Sequence, residues 1–237
     1  MTALLTDAPS RSWRFGRRHP LYVRREDVIV GLQRPVRLLY ASDLHLTGTD
    51  FVSERVAAAV AEERPDAVLL GGDLVEGAAG RDCLERMIKE LVRHAPVLAV
   101  EGNHDRFWGV SAVRAAVRAG GGHWLLDEPV LLGGLRLVAR THAPADEAPT
   151  CLVGHDPADL PAAASHGVRL VLAGHLHGGQ LVLGEHGGRL YPGAFLYRWN
   201  GLRFLDGGTT MLVSRGVSDT LPVRFACPTE VLSCTVS

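Results

Sequence analysis

The sequence predicts an α/β fold: one domain of two packed sheets with helices outside. Three observations lead there. In the first half, short apolar runs alternate with windows of helical periodicity, the mark of a parallel, helix-covered sheet. In the second half, short apolar runs are separated mainly by glycine turns, and helix content falls. Finally, most of the blocks rich in Asp, Asn and His follow an apolar run, where ligands gather in open α/β sheets.

The elements follow in order. Val36 to Ser42 is an apolar run ending at Asp43 and reads as a buried strand. Phe51, Val52, Val56, Ala59 and Val60 recur at three- and four-residue spacing, so this window is an amphipathic helix closed by Pro65. Ala67 to Leu70 is a second strand, followed by Gly71-Gly72-Asp73. Leu84, Met87, Ile88 and Leu91 mark a second helix, with Pro96 beyond it. Val97 to Val100 is a third strand that runs into Gly102-Asn103-His104-Asp105, and Val110 to Val117 is a third helix stopped by Gly120-Gly121-Gly122. Val130 to Val138 carries Gly133-Gly134 at its centre, a hairpin signal. Cys151 to Val153 precedes His155, and Val168 to Ala173 precedes His175. A turn is expected around Asp156 to Ser165. Leu181 to Leu183, Leu202 to Leu205, Met211 to Ser214 and Val231 to Val236 are further short strands. No internal repeat or inter-domain linker interrupts the order.

The blocks carry metal-grade side chains: Asp43-Leu44-His45, Asp73, Asn103-His104-Asp105, His155-Asp156 and His175-Leu176-His177. Residues separated by one position on a strand point to the same side, so Asp43 and His45 can face one cation, as can His175 and His177, with Leu176 turned to the core. Asp73 follows two glycines. A carboxylate bridges two cations, which neither His nor Asn does readily, and Asp73 is our choice for that bridge. Its bland alternative is a helix N-cap. Asn103 offers a neutral oxygen to a hard cation. His104, its neighbour, points elsewhere and faces the substrate, where an imidazolium offsets phosphoryl charge and protonates a leaving oxygen. The alternative for Asn103-His104-Asp105 is a plain turn. Together the donors suit two divalent cations (Mn, Fe or Zn) and the cleavage of a phosphate ester. His19, His94, His123, His142, His166 and His186 lack this setting and read as structural or surface residues.

Composition narrows the reading. The chain has 237 residues, 46% hydrophobic and 22% charged, which is ordinary for a globular domain. A formal net charge of −1 supplies no basic field to recruit nucleic acid. The four cysteines form no CxxC pair, so a thiolate zinc site is not expected, and reduced thiols fit the cytoplasm. No apolar stretch is long enough to span a bilayer, and neither arginine pair at 17–18 or 24–25 precedes an apolar h-region, so no cleaved signal peptide is expected. Residues 1–34 carry seven arginines against Asp7, Glu26 and Asp27, with Trp13 and Phe15 among them. This basic leader is expected either to lie on the domain, residues 35–237, or to touch anionic lipid at the inner membrane face. No obligate protein partner is implied.

In that order, Asp43-x-His45, Gly72-Asp73, Gly102-Asn103-His104-Asp105, Gly154-His155 and Gly174-His175-x-His177 resemble the five blocks of the calcineurin-like metallophosphoesterases. The likeness covers about residues 36–180. Gly178-Gly179-Gln180 and Ser214-Arg215-Gly216 before Pro222-Val223-Arg224 resemble the small bacterial YkuE/YaeI-type branch. The resemblance implies a four-layer αββα sandwich of two mixed sheets with a dinuclear site. Asp43, His45, Asp73 and His177 would hold one cation; Asp73, Asn103, His155 and His175 would hold the other. It implies His104 as the catalytic histidine and Glu76 as the acid that orients it, with Asp105 and Asp156 as further partners for the imidazoles. The implied reaction is hydrolysis of a phosphodiester or pyrophosphate, on a lipid-linked or nucleotide substrate, by a metal-bridging hydroxide. The alternatives are a nuclease or phosphomonoesterase on the same site, or a non-catalytic metal-binding scaffold. The branch often carries a membrane helix or export signal, and neither is read here. No cap is inserted between the blocks, so an open site is expected.

Overall fold

A computed structural model describes residues 4–5, 11–16, 18–49, 51–141, 148–219 and 221–237. Its layers follow from strand alternation. Leu39 and Ala41 of the strand Val36–Ala41 point to one face, and Leu38 and Tyr40 to the other. Val68 and Leu70 part from Ala67 and Leu69 in the same way, as do Val97 and Ala99 from Leu98 and Val100. One set meets Val56 and Val60 of the helix Phe51–Glu63, Leu84 and Ile88 of Ala78–Leu91, and Val113 and Val117 of Val110–Ala119. The other set meets Leu137, Val153, Leu170 and Leu172 of a second sheet. Val171 and Ala173, on that sheet's outer face, pack on Leu160 and Ala163 of the helix Leu160–Ser165. Each strand buries both faces, which is why these runs are almost wholly apolar. The result is the expected αββα stack.

The first sheet orders its strands Leu4–Leu5, Leu21–Val28, Glu230–Val236, Val36–Ala41, Ala67–Gly71, Val97–Val100 and His123–Trp124. All pairs are parallel except Glu230–Val236 with Val36–Ala41. The second runs Arg203–Asp206, Thr209–Val213, Leu170–Ala173, Thr150–Val153, Leu135–Val138, Val130–Leu132. Its inner four strands are parallel and its edge pairs antiparallel, including the hairpin at Gly133-Gly134.

Two expectations change. The segment 1–34 is not a leader apart from the domain, because Leu21–Val28 is an eight-residue strand inside the first sheet, paired along Glu230–Val236. Four consecutive charges, Arg24 to Asp27, disguise it. Arg24 is buried against Glu230 and the carbonyl of Val213, and Arg25 pairs with Glu63. Second, Asn103-His104-Asp105 is neither a strand end nor a plain turn. It opens a short helix, Asn103–Trp108.

Glu230 is fully buried between Arg24 and Arg215, and Arg215 Nε donates to it at 2.8 Å. Burial alone would push its carboxyl up, but Arg215 and then Arg24 outweigh burial and hold it below the ordinary value. A depressed carboxylate stabilises the fold above its unfolded pKa, and that contribution is lost as pH falls through the folded pKa. Glu230→Gln is therefore expected to cost about 3 kcal/mol at pH 7, because it leaves arginine charge buried. The difference from the native chain should shrink as pH drops below about 4.3. Urea unfolding at stepped pH checks this; a pH-independent difference contradicts it.

Candidate metal centre

The blocks leave their strands just where the sheets' carboxyl ends come together. Asp43, His45, Asp73, His175 and His177 all take left-handed backbone, with φ of 57°, 44°, 53°, 71° and 49°. Non-glycine residues adopt that region at a cost of about 1–2 kcal/mol each. The reversal turns each side chain off the end of its sheet into shared space. The neighbouring glycines allow the loops to close on one another. A Cβ on Gly102 would lie 2.2 Å from the Asp73 amide, and one on Gly174 would lie 2.3 Å from Ser42 Oγ.

Six of the seven ligand candidates, with His104, fall into three overlapping triads: Asp43, His45 and His177; His45, Asp73 and His104; Asp73, His155 and His175. Within each triad the ligand atoms lie within 4.8 Å of one another. Asn103 Oδ1, the seventh, stands 3.0 Å from His155 Nε2. His45 Nε2 is 3.4 Å from His177 Nε2, and His155 Nε2 is 3.3 Å from Asp73 Oδ2. Asp73 joins the second and third triads, as His45 joins the first and second, and of these two only Asp73 is a carboxylate.

Second partners set the direction of the imidazoles. His155 Nδ1 lies 2.8 Å from the Gly71 carbonyl, His177 Nδ1 3.2 Å from the Ser218 carbonyl, and His45 Nδ1 2.8 Å from Glu76 Oε1. With Nδ1–H donated outward, each ring turns Nε2 with its lone pair toward the cluster, which is the tautomer a metal requires. Three buried rings converging in this way, with the half-buried His175 and the carboxylates of Asp43 and Asp73, fit a pair of divalent cations by donor type and direction.

Electrostatics agree for the two carboxylates and His177, whereas His155 is held protonated and a cation there would have to displace its Nε2 proton. Burial pushes the Asp73 carboxyl up, but the hydrogen bond and charge of His155 and the amide of His104 bring it down to about 2. Asp43 is likewise held below its ordinary value, burial being outweighed by His177, His155 and His45. Burial pushes His177 down to about 4, so its ring is neutral. For His155 burial acts downward, but Asp73 and Asp43 overcome it and raise the ring to about 9.

His104 is half-exposed at the rim, with Nδ1 2.5 Å from Glu76 Oε1. Its ring meets that of His45 edge-on at 4.7 Å. Glu76 thus serves two histidines, and Trp108 Nε1 holds its second oxygen at 2.9 Å. Asp105 and Asp156 reach no imidazole, contrary to expectation. Asp105 accepts from the amides of Leu74, Val75 and Gly102, joining the Asp73 loop to the Asn103 helix. Burial raises it to about 6. Asp156 caps the turn Pro157–Asp159 through the Ala158 amide. Leu176 is only half-buried and faces a cleft rather than the core, because His175 and its neighbours have left the strand. Of the remaining histidines, His19 is buried near Asp219, His94, His123, His166 and His186 are exposed, and His142 lies outside the described residues.

Several supports had no role assigned from the sequence. Ser42 Oγ bonds Asp43 Oδ2 at 2.6 Å. The loop bearing Ser218 is held by Arg224, which is fully buried and reaches Asp219 and the carbonyls of Arg215 and Ser218. Ser42 adjoins a ligand block and Arg224 stands in the Pro222-Val223-Arg224 motif, but neither motif nor spacing assigned them these contacts.

The chain is 27% identical over 234 residues to an uncharacterized metallophosphoesterase of Helicobacter pylori, covering 84% of this chain but 59% of that protein. It is 26% identical over 222 residues to phosphodiesterase YaeI of Escherichia coli, covering 83% and 80% of the two chains. The solved structure of TT1561 from Thermus thermophilus shares the fold at a TM-score of 0.50 and 12% identity, over 78% of this chain and 91% of that one. The model for calcineurin-like phosphoesterases matches residues 36–179, more than half of the 237-residue chain, and the protein therefore belongs to the calcineurin-like phosphoesterase family.

Proposed function

We propose that this protein is a dinuclear-metal phosphohydrolase that cleaves a phosphodiester or pyrophosphate bond. The observation that carries the reading is the convergence of Asp43, His45, Asp73, Asn103, His155, His175 and His177 on one point, with three Nδ1 atoms anchored outward. Asp43, His45, Asp73 and His177 would hold one cation, and Asp73, Asn103, His155 and His175 the other. When bound, such cations lower the pKa of water from 15.7 towards about 7 and offset phosphoryl charge. His104 sits at the rim, outside both ligand sets. Glu76 fixes its Nδ1–H, which leaves Nε2 to carry a proton to the departing oxygen. The hydrogen bond from Trp108 keeps Glu76 in place while it serves His45 as well.

Four buried cysteines without disulfides fit a reducing compartment, the cytoplasm. Among the described residues no helix is long and apolar enough to cross a membrane. Of the segment 1–34, Arg11, Trp13, Phe15 and Arg18 are all exposed, and these support peripheral contact with anionic lipid.

The test is metal analysis of protein purified without chelator, followed by turnover of an aryl phosphodiester against an aryl phosphomonoester with Mn, Fe or Zn. About two metal equivalents and faster diester cleavage are expected. Protein that retains no divalent ion, or cleaves only the monoester, contradicts the reading.

A further inference from the structure

The centre opens into two recesses of different character, and His104 lines only one of them. The first, about 540 Å³, runs from Asn103 and His155 toward Arg106, Arg140, Asp156 and Asp159. Its rim is charged. The second, about 390 Å³, starts at His104 and His177 and runs between Leu176, Leu181, Tyr197, Leu221 and Val223. Its walls are mainly aliphatic and aromatic. His104 lines the second recess and not the first.

The apolar wall continues to the outside. A backbone bridge sets Leu181 beside Phe225, Trp13 packs on Phe225 at 4.9 Å, and Phe15 stacks on Trp13 at 6.0 Å. Beside Tyr197, Leu196 is 82% and Phe195 79% exposed, and Leu221 is 60% exposed. A run of large apolar side chains from a reaction centre to the surface marks a binding face rather than scattered exposure.

We infer that the His104 recess is the leaving-group subsite and that the substrate is an amphiphilic phosphodiester whose apolar alcohol departs through it. This rests on the phosphodiesterase reading and on His104 as proton donor. The P–O bond to the apolar alcohol breaks, and the oxygen of water forms the new P–O bond. His104 gives its Nε2 proton to the departing alkoxide, and the proton lost by the water restores the imidazolium. The products are the free apolar alcohol and a phosphomonoester that keeps the polar substituent, which lies in the charged recess.

The experiment uses manganese-loaded protein and the methyl, butyl and octyl diesters of thymidine 5′-phosphate, with product identity read by mass spectrometry. Thymidine 5′-phosphate and free alcohol are expected, with kcat/KM rising about twofold per methylene, half the value for complete burial. Leu221→Ser is expected to flatten that slope. Equal rates along the series, or release of thymidine with alkyl phosphate, overturns the assignment while leaving phosphodiester cleavage intact. Absence of turnover with every ester overturns the phosphodiesterase reading and this assignment with it.

Discussion

Replacing Asp73 by Asn is expected to strip the bound metal and to lower kcat/KM by at least about 10³-fold. Asp73 belongs to two of the three ligand triads, and the amide of His104 and the ring of His155 both bond to it. Two adjacent cations repel, so a dinuclear site here would depend on an anion shared between them. Asn preserves shape and can still accept the His104 amide through its oxygen, but carries no charge. The fold should therefore survive while the metal does not. Metal content after gel filtration and thermal unfolding measured on the same sample separate the two effects. A variant that keeps its full metal complement contradicts the bridging role.

His104→Ala is expected to do the opposite. Metal content stays unchanged, and kcat falls by about 10² to 10⁴, the usual worth of positioned acid–base catalysis. His104 shares a triad with His45 and Asp73, but its own ring is half-exposed and anchored to Glu76. Proton delivery matters most when the departing oxygen is basic. The loss should thus be large for an alkyl leaving group and small for a nitrophenyl one. Equal loss with both, or loss of metal, would reassign His104 from proton donor to ligand or charge stabiliser. His45 also leans on Glu76, so a Glu76 variant would disturb both metal and acid and is the poorer test.

The strand runs Val36–Ala41, Ala67–Gly71 and Val97–Val100 were legible because helix-covered parallel strands need apolar residues on both faces. The candidate ligand blocks stood out because metal donors are few in kind and stood beside glycine at predicted strand ends, and six of those donors meet in three triads. The strand Leu21–Val28 was not legible. Arg24 and Arg25 look solvated in one dimension and become strand residues only where Glu230 and Glu63 meet them. The roles of Asp105 and Asp156 were misread for a related reason. A carboxylate beside a histidine in sequence need not lie beside its ring, and here both bond backbone amides.

By itself, the order of residues determined the layered architecture, the family and the set of candidate donors, since hydrophobic periodicity and side-chain chemistry are local properties. The tertiary structure alone decided how those donors face one another: the left-handed reversal at Asp43, His45, Asp73, His175 and His177, the carbonyls of Gly71 and Ser218 that set the rings, and the two recesses around His104. Each depends on contacts between segments far apart in the chain, and distance in space is not written in spacing along it.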